Sequence, residues 1–352
     1  MKRINTEPAL TFDDVLLVPQ YSSLLSRSEA DTCWKLGPFE FTAPVVAANM
    51  DSICERKMMS KMAQLGGLGI HHRRCPVEDY SAILSWWKDM KIPGTSRGPL
   101  ALSIGSIHAD TKKIDWCVKP GNCDIICIDI AHGDSIHMLD TLTYIRDKGF
   151  TGPIIVGNVV TPEATRCLLE HGATMVKVGV GPGSVCTTRI KTGCGYPQLS
   201  AVMNCAEAGP IIADGGIRTP GDVAKALAAG AKAVMIGGML AGTDCVPGWD
   251  EAWARHKEIG LDTPPRIVYR GMASKEARQA VGETPTNAEG VSKTVECKPQ
   301  GSTEAVIIDI IEGVSSAMSY SGALTLEEFA TKSQFVRVTS TVQAENIPHF
   351  RG

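Results

Sequence analysis

Eight short apolar runs, each followed by polar or glycine residues, constrain the fold of this chain more than any other feature. They are Pro44–Ala48, Leu68–His71, Leu100–Ile104, Ile125–Ile130, Pro153–Val156, Met175–Val178, Pro210–Ala213 and Ala233–Ile236. Runs that are apolar throughout are typical of parallel strands buried on both faces. Because helical patterning lies between them, the repeat predicts an α/β protein with a TIM (β/α)8 barrel; a doubly wound sheet is the alternative.

Helix start signals support this repeat. Thr161-Pro162 and Thr219-Pro220 each place a threonine where its hydroxyl can cap a helix and a proline at the first helical position. We expect a helix after each pair and a last helix over Thr303–Ser321, followed by an apolar stretch at Phe335–Val338.

We expect one barrel domain over residues 1–352 with two additions to the repeat. Residues 1–40 contain Leu10–Pro19, which we expect to cover the base of the barrel. Residues 243–302, here called the flap segment, are polar and rich in glycine, proline and threonine. So long a stretch with little regular patterning is usually functional, which predicts an active-site flap after strand 8.

Composition narrows the class of protein. With 43% hydrophobic residues and a net charge of −3, the chain is expected to be ordered and gives no reason to expect nucleic acid as a partner. No apolar run reaches the ~18 residues of a membrane span, and the start lacks the apolar region of a signal peptide. The twelve cysteines contain no C-x-x-C pair and are therefore expected to be reduced thiols of a cytoplasmic protein.

The loop after Met175–Val178 carries the strongest chemical signal. It reads Gly179-Val180-Gly181-Pro182-Gly183-Ser184-Val185-Cys186. Glycine lets a backbone pass close to a ligand, and successive N–H groups in such a loop can bind an anion. The loop therefore predicts a nucleophilic cysteine beside a phosphate, although a single cysteine is more often an inert buried residue. It does not fit the dinucleotide pattern G-x-G-x-x-G, since Ser184 replaces the last glycine.

The longer pattern Gly-x-Gly-Pro-Gly-Ser-x-Cys-Thr-Thr-Arg resembles the catalytic loop of the inosine-monophosphate dehydrogenase / GMP reductase superfamily. Other segments resemble motifs of that superfamily in their usual order along nearly the whole chain: Asn49-Met50-Asp51, Gly157–Thr161, Asp214–Ile217, Gly237–Gly242 and Tyr269–Met272. The resemblance implies an enzyme with a bound purine monophosphate and a nicotinamide cofactor.

The resemblance also implies roles for individual residues. Cys186 would be the nucleophile, and Thr188 and Glu289 would relay a proton to the departing amine. The nucleotide's ribose would be bound by Asp214 and its base by Gly271 and Met272. Its phosphate would be bound by Ser184, Gly216, Gly237 and Gly238. The cofactor would contact Asp129 and Asn158 at its nicotinamide end. Arg73, from its place at a strand exit, is expected either to meet the cofactor's phosphates or to be a solvated surface charge. The carbonyl groups of Gly181, Gly183 and Cys186 would bind a monovalent cation, K+.

Two reactions are open to this superfamily, and the resemblance favours the reductase: NADPH-dependent deamination of GMP to IMP and ammonia. The dehydrogenases activate water with an Arg-Tyr or Arg-Phe pair in the flap. Between Gly271 and Gly301 this chain has one arginine, Arg278, and no tyrosine or phenylalanine. The dehydrogenases also usually carry two CBS modules after the second strand, where Arg73 to Gly98 leaves room for one helix only.

Other features keep two alternatives open. Ile70-His71-His72 reads more like an IMP dehydrogenase, which would here lack CBS modules. Ala273 and Thr286 stand where reductases often carry a serine and an arginine near the base. A barrel with a dead site that only senses nucleotides is the second alternative. The resemblance further implies a homotetramer.

Overall fold

The computed structural model describes residues 6–92, 97–260, 263–284 and 287–346. Its strands are β1 (Val15–Val18), β2 (Trp34–Leu36), β3 (Phe39–Phe41), β4 (Val45–Ala47), β5 (Leu68–His71), β6 (Ala101–Ile104), β7 (Ile125–Asp129), β8 (Ile154–Val159), β9 (Met175–Val178), β10 (Ile211–Asp214), β11 (Ala233–Ile236), β12 (Arg266–Arg270), β13 (Ser292–Glu296) and β14 (Gln334–Arg337).

Helices follow most of these strands. They are α1 (Arg56–Gln64), α2 (Glu78–Asp89), α3 (Ile107–Cys117), α4 (Ile136–Asp147), α5 (Pro162–Glu170), α6 (Thr188–Thr192), α7 (Gln198–Ala206), α8 (Pro220–Ala228), α9 (Trp249–Ile259), α10 (Lys275–Gln279), α11 (Ser302–Tyr320), α12 (Leu326–Lys332) and α13 (Val342–Glu345). Short 3-10 helices lie at Phe12–Asp14 and Arg27–Glu29.

Strands β4 to β11 pair in chain order as parallel neighbours, and β11 pairs with β4 to close the barrel. The predicted TIM barrel is therefore confirmed, with each of the eight apolar runs forming one strand. Almost every barrel residue is buried, because side chains on one face fill the interior and those on the other pack under the helices. Lys177 on β9 is buried too, at 1% exposed, although its side chain is charged.

The two predicted helix starts are also confirmed. The hydroxyl of Thr161 accepts from the N–H of Ala164 at the start of α5. At α8, Thr219 and Asp222 cap each other's backbone N–H groups. Such caps satisfy donors that the first helical turn leaves without partners, and each contributes about 1 kcal/mol.

The base of the barrel is covered by the β2–β3 hairpin. The indole N–H of Trp34 donates to the carbonyl of Ala43, one residue before Pro44 leads into β4. At the hairpin tip, Gly37 lies against Pro153, which precedes β8. Both contacts are made at strand beginnings, so the hairpin lies at the N-terminal end of the barrel.

The stretch Leu10–Pro19, expected at the base of the barrel, instead packs beside helices α7 and α8. Leu10 exchanges hydrogen bonds with Ser200 in the first turn of α7, and Lys225 of α8 donates to the carbonyl of Phe12. Strand β1 then pairs antiparallel with β14. The expectation was wrong for this stretch because its binding partners come from segments far away along the chain.

The flap segment contains more regular structure than its composition suggests. It includes α9, the antiparallel ribbon β12–β13 and the short helix α10 between the two ribbon strands. Between β5 and β6 the described residues form the single helix α2. Across the described part of the chain, no helix combines the length and the apolar character needed to cross a bilayer.

Candidate active site

A cavity of about 1400 Å³ opens at the C-terminal ends of the barrel strands. Every residue that the sequence analysis assigned to the site lines it: Arg73, Asp129, Asn158, Gly181, Gly183, Ser184, Cys186, Thr188, Asp214, Gly216, Gly237, Gly238, Gly271, Met272 and Glu289. The structure thus brings the predicted residues together, while the role of each stays a prediction.

The loop between β9 and α6 is built on glycine at its tightest point. Gly179 has a φ of 148°, and a side chain there would lie 2.1 Å from the carbonyl oxygen of Asp214. Only glycine fits that approach. Further on, the N–H of Cys186 donates to the carbonyl of Gly183 at 3.0 Å, which closes the turn that presents the thiol to the cavity.

The Cys186 thiol begins a hydrogen-bonded chain that ends in a carboxylate. Its Sγ lies 3.2 Å from Thr188 Oγ1, and that hydroxyl lies 2.9 Å from Glu289 Oε2. The thiol and the hydroxyl lie at the β9–α6 junction, whereas Glu289 belongs to the flap segment. The arrangement can move a proton between the carboxylate and a group bound next to the sulfur.

Backbone contacts fix Glu289 at that position. The N–H of Thr187 donates to the carbonyl of Glu289 at 2.9 Å, and the N–H of Val291 donates to the carbonyl of Val185, also at 2.9 Å. The N–H of Glu289 itself donates to the carbonyl of Ala273 at 3.2 Å. The flap segment is therefore joined to the cysteine loop at the two residues that flank Cys186, Val185 and Thr187.

A second group of polar atoms surrounds the glycines after β11. Ser184 Oγ lies 3.1 Å from Tyr269 Oη. A side chain at Gly237 would come within 3.1 Å of that tyrosine oxygen, and one at Gly238 within 3.2 Å of the serine oxygen. Burial raises the pKa of Tyr269, so its hydroxyl stays a donor at neutral pH. Two hydroxyls beside open backbone suit an anionic oxygen.

Tyr269 belongs to the motif Tyr269–Met272, but the sequence analysis gave it no part in binding the phosphate. Arg270 makes a bidentate ion pair with Asp51, with Nη2 at 2.7 Å from Oδ2 and Nε at 3.2 Å from Oδ1. Met272 Sδ accepts from the N–H of Asp51 at 3.4 Å. Thr286 lies outside the described residues.

Inside the barrel, Lys177 links two carboxylates of the site. Its Nζ lies 2.5 Å from Asp129 Oδ1 and 3.4 Å from Asp214 Oδ2. Burial favours the neutral amine, but the two carboxylates outweigh it and raise the pKa of Lys177 above its ordinary value. Burial likewise acts to raise the pKa of Asp129, yet the charges of Lys177 and Arg73 hold it below the ordinary range.

Asn158 contacts one of these two carboxylates, donating to Asp214 Oδ2 and to the carbonyl of Gly179, both at 2.8 Å. It was predicted at the nicotinamide end, and its contacts place it equally beside the predicted ribose carboxylate. Lys177 was missed from the sequence. Its signal was a charge within an apolar run, since a fully buried charge must be paired.

Two arginines follow β5 at the rim of the cavity. Arg73 Nε is buried and has no hydrogen-bond partner within the described ranges. Arg74 donates to the carbonyl of Met272 at 3.0 Å and pairs with Glu283 at 2.6 Å. The other oxygen of Glu283 accepts from Arg278 at 2.6 Å. The single arginine between Gly271 and Gly301 is thus tied to a carboxylate of its own segment.

Comparison with known proteins places this geometry in context. A sequence model described as the IMP dehydrogenase / GMP reductase domain matches residues 9–349. A GMP reductase of Serratia proteamaculans is 38% identical over 96% of both chains. An inosine-5'-monophosphate dehydrogenase of Cryptosporidium parvum is 35% identical over 98% of this chain and 96% of its own.

A solved structure agrees with these relatives. The crystal structure of a GMP reductase variant from Trypanosoma brucei, in complex with guanosine 5'-monophosphate, superposes with a TM-score of 0.85. It is 27% identical in sequence, and the alignment covers 98% of each chain. Both activities of the family therefore occur among proteins similar to this one.

Proposed function

The chain belongs to the IMP dehydrogenase / GMP reductase family, and on that premise we propose that it is an oxidoreductase that converts GMP to IMP and ammonia with NADPH. The observation that carries the proposal is the chain of contacts from Cys186 Sγ through Thr188 to Glu289. It places a nucleophile and a proton source within one hydrogen-bonded unit, as amine displacement requires.

Cys186 is the nucleophile of this reaction. As its sulfur adds to C2 of the purine and forms a carbon–sulfur bond, the thiol proton passes through the hydroxyl of Thr188 to the carboxylate of Glu289. Glu289 returns that proton through Thr188 to the amine as the C2–amine bond breaks and ammonia leaves. NADPH held beside Asp129 and Asn158 would supply the hydride that C2 needs before the sulfur is released as thiolate.

Other residues that line the cavity bind the substrate. Ser184, Gly216, Gly237 and Gly238 bind the phosphate, with Tyr269 added to that group by its contact with Ser184. Asp214 accepts from the ribose hydroxyls. Asn158 and Lys177 both donate to its Oδ2, so Oδ1 is the oxygen that faces the ribose in this proposal. Gly271 and Met272 contact the base from the flap segment.

The residues present fit a nicotinamide dinucleotide. The unpartnered Nε of Arg73 is a buried donor of the kind that a phosphate oxygen satisfies. Asp129 and Asn158 would contact the nicotinamide end, and both line the same cavity as Arg73. The carbonyl groups of Gly181, Gly183 and Cys186 offer hard oxygen ligands suited to K+. From the family we also infer a homotetramer in the cytoplasm.

The state of Arg278 supports the reductase over the dehydrogenase. A dehydrogenase needs a flap arginine free to activate water, whereas this one is ion-paired with Glu283. IMP dehydrogenase stays the second candidate because a relative of similar identity carries that activity.

Absorbance at the nicotinamide band tests the proposal directly. Purified protein with GMP and NADPH should consume NADPH only when GMP is present and should yield IMP and ammonia. NADH formation from IMP and NAD instead would establish the dehydrogenase. Nucleotide binding without turnover in either assay would favour the sensing barrel.

A further inference from the structure

A second cavity, of about 560 Å³, lies outside the nucleotide site. Its walls come from the start of α1, the turn between β5 and α2, and the residues leading into α9. Glu55, His71, His72 and Cys75 line it. None of these four side chains has a part in the proposed reaction.

Two imidazoles and a thiol converge there. One potential ligand atom from each of His71, His72 and Cys75 lies within 4.8 Å of the other two. Cys75 Sγ and His71 Nδ1 are 4.0 Å apart, and the two rings stack with centroids at 4.7 Å. His71 Nδ1 donates to the carbonyl of His72 at 3.0 Å, which leaves Nε2 of that ring as the nitrogen that can bind a cation. His71 is 5% and His72 4% exposed, so the protein holds both rings in place.

A carboxylate adjoins the three. Glu55 Oε1 lies 3.1 Å from His72 Nε2, and its half-exposed side chain can turn toward the cavity. Zinc in proteins takes four ligands in a tetrahedron, at about 2.0–2.3 Å for nitrogen, oxygen and sulfur. Drawing the ligand atoms of His71, His72 and Cys75 onto one ion needs an inward movement of about 1 Å or less, given the 4.8 Å limit on their separations. Glu55 would turn in from its contact with His72 to complete the set.

We propose that His71, His72 and Cys75, with Glu55 as fourth ligand, form a binding site for a zinc-like divalent cation. Two imidazoles and a thiolate favour Zn2+ over hard ions such as Mg2+ or Ca2+. Burial raises the pKa of Cys75 to about 12, so the thiolate forms together with the metal–sulfur bond and the proton passes to solvent.

The proposed site adjoins the rim of the nucleotide cavity. Without an ion, the N–H of Arg74 donates to His72 Nδ1 at 3.0 Å, so Nε2 carries the ring proton and faces Glu55. A cation bound to His72 would take the place of one of these hydrogen bonds. Arg73 and Arg74 come directly after His72 in the chain, so an ion bound here would change how the turn presents both guanidinium groups to the nucleotide cavity.

Cobalt absorption tests the site without relying on activity. The full-length protein, stripped with a chelator, is titrated with Co2+, and thiolate-to-cobalt charge-transfer and tetrahedral ligand-field bands are recorded. Zn2+ is then added in competition. We expect one ion per chain, with Zn2+ removing both bands. Cys75→Ser should abolish the charge-transfer band and weaken Zn2+ by more than the roughly 10–100-fold typical of an outer-shell loss.

Three further variants make the outcome decisive. Cys167→Ser is the matched control, since Cys167 Sγ also lies near a histidine, 3.8 Å from His171 Nδ1, but outside the cluster. It should leave the bands unchanged, as should Cys186→Ala. Glu55→Gln, at an exposed position, should weaken Zn2+ without unfolding the protein. Bands that survive Cys75→Ser, bands lost in Cys186→Ala, or no stoichiometric binding would overturn the proposal.

Discussion

At the scale of single residues, the site depends on a thiol and a carboxylate that come from different segments yet share one hydroxyl. Thr188 Oγ1 accepts from Cys186 and donates to Glu289. We therefore expect replacement of Cys186 to prevent attack on the purine, and replacement of Glu289 to slow departure of the amine. A residue that only binds the nucleotide would affect both events.

Cys186→Ala removes the proposed nucleophile. We expect turnover to fall to the assay background while GMP still binds with a Kd within a few-fold of wild type, because the phosphate and ribose contacts remain. Isothermal titration and the NADPH assay measure the two quantities. Cys194→Ala, an exposed cysteine that follows α6, is the control. Substantial turnover by Cys186→Ala would contradict covalent catalysis.

Glu289→Gln keeps the shape of the side chain and removes the carboxylate proposed to carry the proton to the amine. General acid catalysis typically contributes ~10²–10⁴-fold, so kcat should fall by about that factor with little change in GMP affinity. Glu276→Gln, on α10 of the same segment, is the control because that carboxylate accepts from the hydroxyl of Ser292 and not from Thr188. Equal losses in kcat and in affinity would reduce Glu289 to a binding role.

At the scale of elements, the flap segment is held by more than its backbone. Glu283 bridges Arg74, which follows β5, and Arg278 in α10. Glu283→Gln should loosen this junction by about 0.5–1 kcal/mol, since half-exposed pairs are screened by solvent. We expect the cofactor KM to rise roughly two- to five-fold with Tm nearly unchanged.

The matched control for that junction is Glu40→Gln. Its pair with Lys35 has the same chemistry but lies on the β2–β3 hairpin at the opposite end of the barrel. It should leave KM unchanged. A cofactor KM that stays at the wild-type value in Glu283→Gln would show that the bridge does not order the cofactor side of the site.

How far the elements were predictable depends on how local their causes are. The barrel strands could be predicted because burial on both faces leaves a continuous apolar run, as in Ile125–Ile130. Thr219 signals its helix because its cap is made three residues away. Strands β1 and β14 were not recognised as partners, because their pairing joins the two ends of the described chain.

The site shows the same division. Glycine, cysteine and threonine in the β9–α6 loop are contiguous, so their chemistry is visible in the sequence. The contact of Ser184 with Tyr269 spans 85 residues, and that of Lys177 with Asp129 spans 48. Neither partner can be derived from spacing alone. The ribbon β12–β13 was missed for a related reason, since its two strands are separated by the residues that carry Glu289.

At the scale of the whole molecule, the barrel interior and the site are one electrostatic unit. Lys177 on β9 neutralises carboxylates that end β7 and β10. In the wild-type protein the pKa of Asp129 is held below its ordinary value. The folded state then binds fewer protons than the unfolded state near the ordinary aspartate pKa of about 3.9, so the stability that Asp129 contributes is present above that pH and is lost below it.

Lys177→Met should reverse that dependence. With the lysine charge gone, burial dominates and the pKa of Asp129 rises above its unfolded value. The folded state then binds more protons than the unfolded state between about pH 4 and the raised pKa, so stability should fall as pH rises. At pH 7 we expect a loss of about 3–5 kcal/mol, as for other buried pairs with one partner removed.

Urea unfolding of wild type and Lys177→Met from about pH 3 to 7, with reversibility checked by refolding, measures both slopes. Lys232→Met is the control because Lys232 also lies beside a barrel strand but pairs with Glu327 near the surface. Its curve should run parallel to that of wild type. If the Lys177→Met curve also runs parallel to that of wild type, the charge of Asp129 does not depend on Lys177. The barrel interior and the site would then be separate electrostatic environments.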